Sequence, residues 1–179
     1  RKILNGDIEG AREACEWYHR VFGDDYYLEL QRHEVTDPSV LANREAFPMQ
    51  QRANKVLIEM SKEYGIKLVC TNDCHFEDKE TAEAHDHLLC LATGKDLDDP
   101  NRMRYSKQEW FKTREEMNAI FSDVPEALSN TLEVLDKVEV YSIDHGPIMP
   151  FFPIPESFGT EEQLRERVSE EELYHEFTT

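Results

Sequence analysis

The chain has 179 residues, room for one domain or one domain with a tail, and sets 20 Lys and Arg against 38 Asp and Glu for a net charge of −18. That balance argues against the isolated chain gripping nucleic acid or an anionic membrane surface, since both need clustered cations. No apolar run reaches bilayer length and no signal peptide opens the chain. Cys15, Cys70, Cys74 and Cys90 form neither a CxxC pair nor a disulfide framework, so reduced thiols in a cytoplasmic protein are expected.

In chain order, Ile8, Ala11, Cys15, Tyr18 and Phe22 recur at helical spacing and Gly23 stops them, predicting a helix over 8–22. Residues 26–33 (YYLELQRH) alternate as a strand, with Tyr27, Glu29, Gln31 and His33 on one face and Leu28, Leu30 and Arg32 on the other. A loop is expected over 34–45, then an amphipathic helix from about Pro48 to Tyr64, closed by Gly65. Residues 66–71 (IKLVCT) read as a buried parallel strand, with Asn72-Asp73-Cys74-His75 beyond its C-terminal end. Asp78 caps a helix over 79–93 that ends at Gly94, and 95–106 is a polar loop. Helices follow at 114–121 and 124–137, the second opening with Pro125. Four prolines between 146 and 158 mark an extended connector, and 161–176, with seven Glu against two Arg, reads as a solvated helix.

The order strand, helix, strand, helix predicts an α/β fold with a parallel sheet and its chemistry at the C-terminal strand ends. Two strands are too few for a covered sheet. The chain also opens at Arg1 rather than Met, and its mean hydropathy of −0.69 is low for a self-contained domain. Together these point to a piece of a longer protein.

His33 ends the first strand; Asp73 and His75 lie just past the second. In extended backbone Asp73 and His75 project from one face, and an imidazole from the neighbouring strand can join them on one divalent ion. Two imidazoles favour Zn, Mn or Fe over Ca. Glu29 lies about 13 Å down its strand from His33, at ~3.3 Å per residue, which favours a surface or structural role. His85 and His87 are two apart on a helix, the wrong spacing for one ion, so one is packed or hydrogen-bonded and the other exposed. Asp98-Asp99-Pro100 reads as a solvated turn rather than a catalytic acid pair.

YLELQRH (27–33), LVCTNDCHF (68–76), AEAHDHLLCLATGKDLDDPNRMRYS (82–106) and FSDVPEALSNTLEV (121–134) occur here in this order and spacing. Over residues 5–158 the chain resembles the bacterial family C replicative polymerases, the family of the DNA polymerase III alpha subunit. The likeness is to the later part of their polymerase-and-histidinol-phosphatase (PHP) domain. That resemblance implies a partial, distorted TIM-like βα barrel over 1–110, a helical segment over 111–145 and a Pro-rich connector with an acidic tail over 146–179. It also implies that His33, Asp73 and His75 are ligands of a divalent-metal centre (Zn, Mn or Mg) that serves a phosphoesterase or 3′–5′ exonuclease in some members and is lost in others. The early His-x-His ligands and the polymerase carboxylates of the family are absent from the chain. The isolated chain is therefore expected to bind metal weakly and to be inactive. The expected partners are DNA and deoxynucleotides, through a polymerase core outside the chain, and other replicase subunits. No membrane is expected, and two copies could dimerise over an exposed sheet edge. Two other readings stay open: a free-standing PHP phosphoesterase and a non-catalytic scaffold module of the polymerase.

Overall fold

The computed structural model describes residues 1–35 and 41–150, with the backbone alone at 41–45, together with Ser157, Gly159, Thr160, Glu162, Gln163 and Glu166. Helix α1 (Ile8–Phe22) starts where Asp7 accepts from the Gly10 amide at 2.9 Å and stops at Gly23, whose φ of 55° an L side chain resists. Strand β1 (Leu28–Leu30) follows, then α2 (Leu41–Tyr64), strand β2 (Leu68–Cys70), α3 (Ala82–Thr93), α4 (Arg114–Ile120) and α5 (Pro125–Asp136). The two strands pair in parallel, with Leu28 opposite Leu68 and Leu30 opposite Cys70. The result is a mixed helix-and-strand body compatible with the α/β class.

One face of this small sheet builds the core. Leu28, Leu30, Leu68 and Cys70 meet Cys15 of α1, Met60 of α2 and the buried Phe121, Val124 and Ala127. Helix α2 packs on β1 and α5 on β2. The α5 contact is pinned by polar groups: Asn130 donates to the Leu68 carbonyl at 2.8 Å, and Tyr27 and Lys67 both donate to Glu133 at 2.7 Å. On the opposite face Glu29 is exposed and accepts from the Thr71 hydroxyl at 2.5 Å. An exposed carboxylate in mid-strand leaves that face with polar rather than packing contacts.

Several expectations change. The loop expected over 34–45 gives way at Leu41, where α2 begins and runs through Pro48. Leu, Ala, Arg and Glu before the proline are strong helix formers, and the helix continues across Pro48 despite the lost hydrogen bond and the ring clash that an interior proline brings. Both strands are three residues long, shorter than the apolar runs that announce them, because each has a partner on one side among the described residues. Arg1–Val138 forms one compact unit, in which Phe121 and Ala127 belong to the core around the strands. Glu139–Thr179 is a second unit; its residues 139–150 are exposed and carry neither helix nor strand. Most of the connector beyond 150, and most of the helix expected over 161–176, lies outside the described residues. No helix among the described residues is long and apolar enough to cross a membrane.

Candidate strand-end site

Parallel pairing brings the segments after β1 and β2 to one end of the sheet, and the Thr71 amide donates to the Leu30 carbonyl at 3.1 Å to extend the register. His33 sits there, 4% exposed. Gln50 of α2 grips it twice: its Oε1 accepts from the His33 amide at 2.8 Å and its Nε2 lies 3.0 Å from His33 Nδ1. An amide nitrogen only donates, so Nδ1 is the bare ring nitrogen and Nε2 carries the proton. That proton goes to the Asn72 carbonyl at 3.1 Å. Buried Glu109 stands behind, its Oε1 3.6 Å from Nδ1 and accepting from the Ser106 hydroxyl at 2.6 Å.

Asn72 ties the end of β2 to the 108–110 segment by donating to the carbonyls of Gln108 at 2.8 Å and Trp110 at 2.7 Å. The His75 amide donates to the Glu109 carbonyl at 2.7 Å, and Phe76 and Trp110 form a parallel bridge. Between these anchors the backbone turns: Asp73 has a φ of 48°, a left-handed conformation that aspartate tolerates better than most residues. The extended run expected over 73–75 is therefore absent. The turn still brings Asp73 and His75 together, with Oδ1 3.9 Å from Nδ1. His75 Nδ1 lies 2.6 Å from the Asp73 carbonyl, which can only accept, so Nδ1 holds the proton and Nε2 is bare. The Tyr105 hydroxyl donates to that Nε2 at 3.0 Å. The rings of His75 and Tyr105 lie 4.4 Å apart, and His85 of α3 packs against both, 5.7 Å from His75 and 5.3 Å from Tyr105.

The donor chemistry fits a divalent cation at two of the three residues. His75 hands its Nδ1 proton to a backbone carbonyl and keeps a lone pair on Nε2, the usual state of a metal-ligating imidazole. Asp73 offers a half-exposed carboxylate beside it. His33 has both ring nitrogens engaged within the protein. Among the described residues no group of three or more His, Cys, Asp or Glu is arranged to hold a metal ion.

The other sequence candidates fall as follows. His87 is exposed and bonds the Glu83 carbonyl at 2.7 Å, while His85 is the packed member of the pair. Asp99 accepts from the Asn101 amide at 2.7 Å, which makes 98–100 a turn. The four cysteines are free; Cys74 is exposed and the other three are buried. Sequence reasoning missed Gln50, Tyr105 and Glu109. Only Glu109 had a local signal, the Ser106-x-x-Glu109 spacing of a hydroxyl–carboxylate box. It also missed Lys112, 9% exposed, whose ammonium sits 3.4 Å from the Trp110 ring centroid and whose burial brings its amine down to about 8.

No protein-family model matches the chain. Individual proteins do match. The chain is 36% identical over 175 residues to the DNA polymerase III subunit alpha of Borreliella burgdorferi, an alignment covering 97% of this chain and 14% of that protein. It is 37% identical over 157 residues to the protein of the same name from Campylobacter jejuni, covering 87% of this chain and 12% of that protein. Against the DNA polymerase III subunit alpha of Mycobacterium tuberculosis H37Rv it is 33% identical over 172 residues, covering 94% and 14% respectively. The chain thus spans about one seventh of the curated relatives it matches, and corresponds to a fragment of proteins that bear this name.

Proposed function

We propose that the chain is a segment of the PHP domain of a bacterial replicative DNA polymerase, leading into the connector toward the polymerase core. On this reading β1 and β2 are two strands of a larger, distorted βα barrel, 1–110 is the late part of that domain, and 111–145 leads away from it. Asp73 and His75 contribute ligands to a divalent-metal centre completed by donors elsewhere in the protein, and His33 joins them only by giving up its hydrogen bond to Gln50 or to Asn72. Zn, Mn or Mg bound there would activate water and neutralise phosphodiester charge.

The chain's own residues orient and present donors. The Asp73 carbonyl holds the Nδ1 proton of His75, so the imidazole keeps its lone pair on Nε2, where the Tyr105 hydroxyl meets it. The Asp73 carboxylate stays half-exposed next to it. The state of His75 is the observation that carries the reading. DNA and deoxynucleotides are reached through the polymerase core, other replicase subunits dock on the assembled protein, and the chain alone is inactive.

Two measurements test this. The purified 179-residue chain, given Mn2+ and 3′-labelled single-stranded DNA, should cleave no faster than its Asp73→Ala form; robust EDTA-sensitive cleavage would overturn the partial-site reading. In a full-length replicase carrying this segment, His75→Ala should lower bound metal and spare polymerisation. Unchanged metal content would remove His75 from the ligand set.

A scaffold reading is favoured by one specific observation, the double grip of Gln50 on His33. If His33 serves only to hold α2 to the strand end, His33→Ala costs stability and leaves metal content unchanged.

A further inference from the structure

We propose that Tyr105 is a positioning residue for this centre: its hydroxyl caps the lone pair of His75 Nε2 and gives it up when a divalent cation binds there. The inference rests on the reading of His75 as a ligand. The polarity of the hydrogen bonds fixes the arrangement. The Asp73 carbonyl, 2.6 Å from Nδ1, can only accept, so the proton is on Nδ1. The lone pair left on Nε2 is then the acceptor for the Tyr105 hydroxyl at 3.0 Å. Cation and hydroxyl compete for one lone pair and cannot hold it together.

Tyr105 is placed for this without help from its hydroxyl. Its ring packs on His75 at 4.4 Å and edge-on to His85 at 5.3 Å. Its loop is anchored to α3 by Arg102, which forms two hydrogen bonds to Asp86 at 2.6 and 2.7 Å. Removing the hydroxyl should leave ring, loop and imidazole where they are. The cap keeps a bare nitrogen satisfied while no ion is bound, and it sets a threshold that a cation has to exceed.

Tyr105→Phe therefore separates the cap from the packing. Co2+ titrated into a metal-stripped full-length replicase carrying this segment and followed by its visible absorbance should bind about two- to tenfold more tightly to Tyr105→Phe than to wild type, the fold-change for removing one competing neutral hydrogen bond. Unchanged or weaker binding overturns the cap. Nitrogen-15 spectra of the metal-free chain, at a pH where the imidazoles are neutral, give a second readout that needs no ion. His75 should be protonated on Nδ1 in both proteins, and its Nε2 resonance should move downfield in Tyr105→Phe as the hydrogen bond is lost. Protonation on Nε2, or an Nε2 resonance that does not move, overturns the proposal even if Tyr105→Phe were misfolded in the loop, because the tautomer is read in wild type. His75→Ala separates the two levels. If it abolishes Co2+ binding while Tyr105→Phe has no effect, only the cap fails. If it leaves binding intact, the ligand reading fails and takes the cap with it.

Discussion

Replacing Asp86 by alanine removes one half of a nearly buried ion pair and leaves the other in place. The carboxylate is 11% exposed and the Arg102 guanidinium 9%, and two parallel bonds of 2.6 and 2.7 Å join them. Breaking a buried pair from one side costs about 3–5 kcal/mol, mostly because the remaining charge is stranded. Arg102 keeps the carbonyls of Leu97 at 2.9 Å and Met103 at 3.3 Å as acceptors, so the lower end applies, about 3 kcal/mol. Urea denaturation at pH 7 should show that loss, and a thermal scan a drop of about 10 °C for a unit of this size. Acid supplies an internal check. Arg102 holds the Asp86 carboxyl below its ordinary value of 3.8, so the unfolded chain takes up a proton first as pH falls. The pair's contribution is thus complete above about pH 4 and is lost below it, as pH falls through the folded value. The difference between wild type and Asp86→Ala should narrow at pH 3. A cost under about 1 kcal/mol at pH 7, or a difference that does not change with pH, would refute the reasoning. Because the pair anchors the loop that carries Tyr105, the variant should also weaken the Tyr105–His75 contact, visible as a shift in the His75 ring resonances.

Two further predictions follow from burial. Leu30 is fully buried between the sheet and its helices, and Leu30→Ala should cost about 3–4 kcal/mol with an unchanged urea slope; a cost near 1 kcal/mol would mean the core collapses around the gap. Burial lowers Lys112 from 10.5 to about 8, so between those values the unfolded chain binds more protons and wild-type stability should rise with pH. Lys112→Met should accordingly be more stable than wild type at pH 7, by on the order of 1 kcal/mol, and that advantage should shrink toward pH 10. Equal stability across that range would show that the Trp110 face and the Gln108 carbonyl, which accepts from the ammonium, already compensate the buried charge.

Most helix ends were legible because they are written in single residues, whereas the start of α2 at Leu41 was not, and Asp78 caps a 3-10 turn, Lys79–Thr81, that precedes α3. Asp78 accepts from the Thr81 amide at 2.9 Å, Gly94 takes a φ of 63° and Pro125 opens α5 as the sequence implies. The parallel pairing of β1 and β2 was legible too, since a helix between two apolar runs makes that connection the favoured one. Strand length was not: a ladder extends only as far as its neighbours, and among the described residues each strand has one neighbour. Asp73 and His75 were readable as a local pair, yet their backbone was not, because the left-handed turn at Asp73 is set by the anchors on either side rather than by the pair itself.

What surrounds the strand end was illegible for a related reason. His33 is held by Gln50, 17 residues away, and Asn72, 39 away, while Tyr105 reaches His75 across 30 residues. Such contacts have no period and no spacing rule. The loop over 95–106 shows the consequence most clearly. A census of charge in a chain of net charge −18 treats each charged residue as solvated. Arg102 escapes that rule only because Asp86, on the helix before the loop, gives a partner at two-bond geometry. Once that pair forms, the polar loop becomes a fixed strap, and Tyr105 is set against the imidazole. The placement of the cap on His75 thus depends on an ion pair that touches neither of them. That is why the disruption of Asp86 should be felt at His75, whereas an equally acidic exposed residue such as Asp98 should be replaceable without effect there.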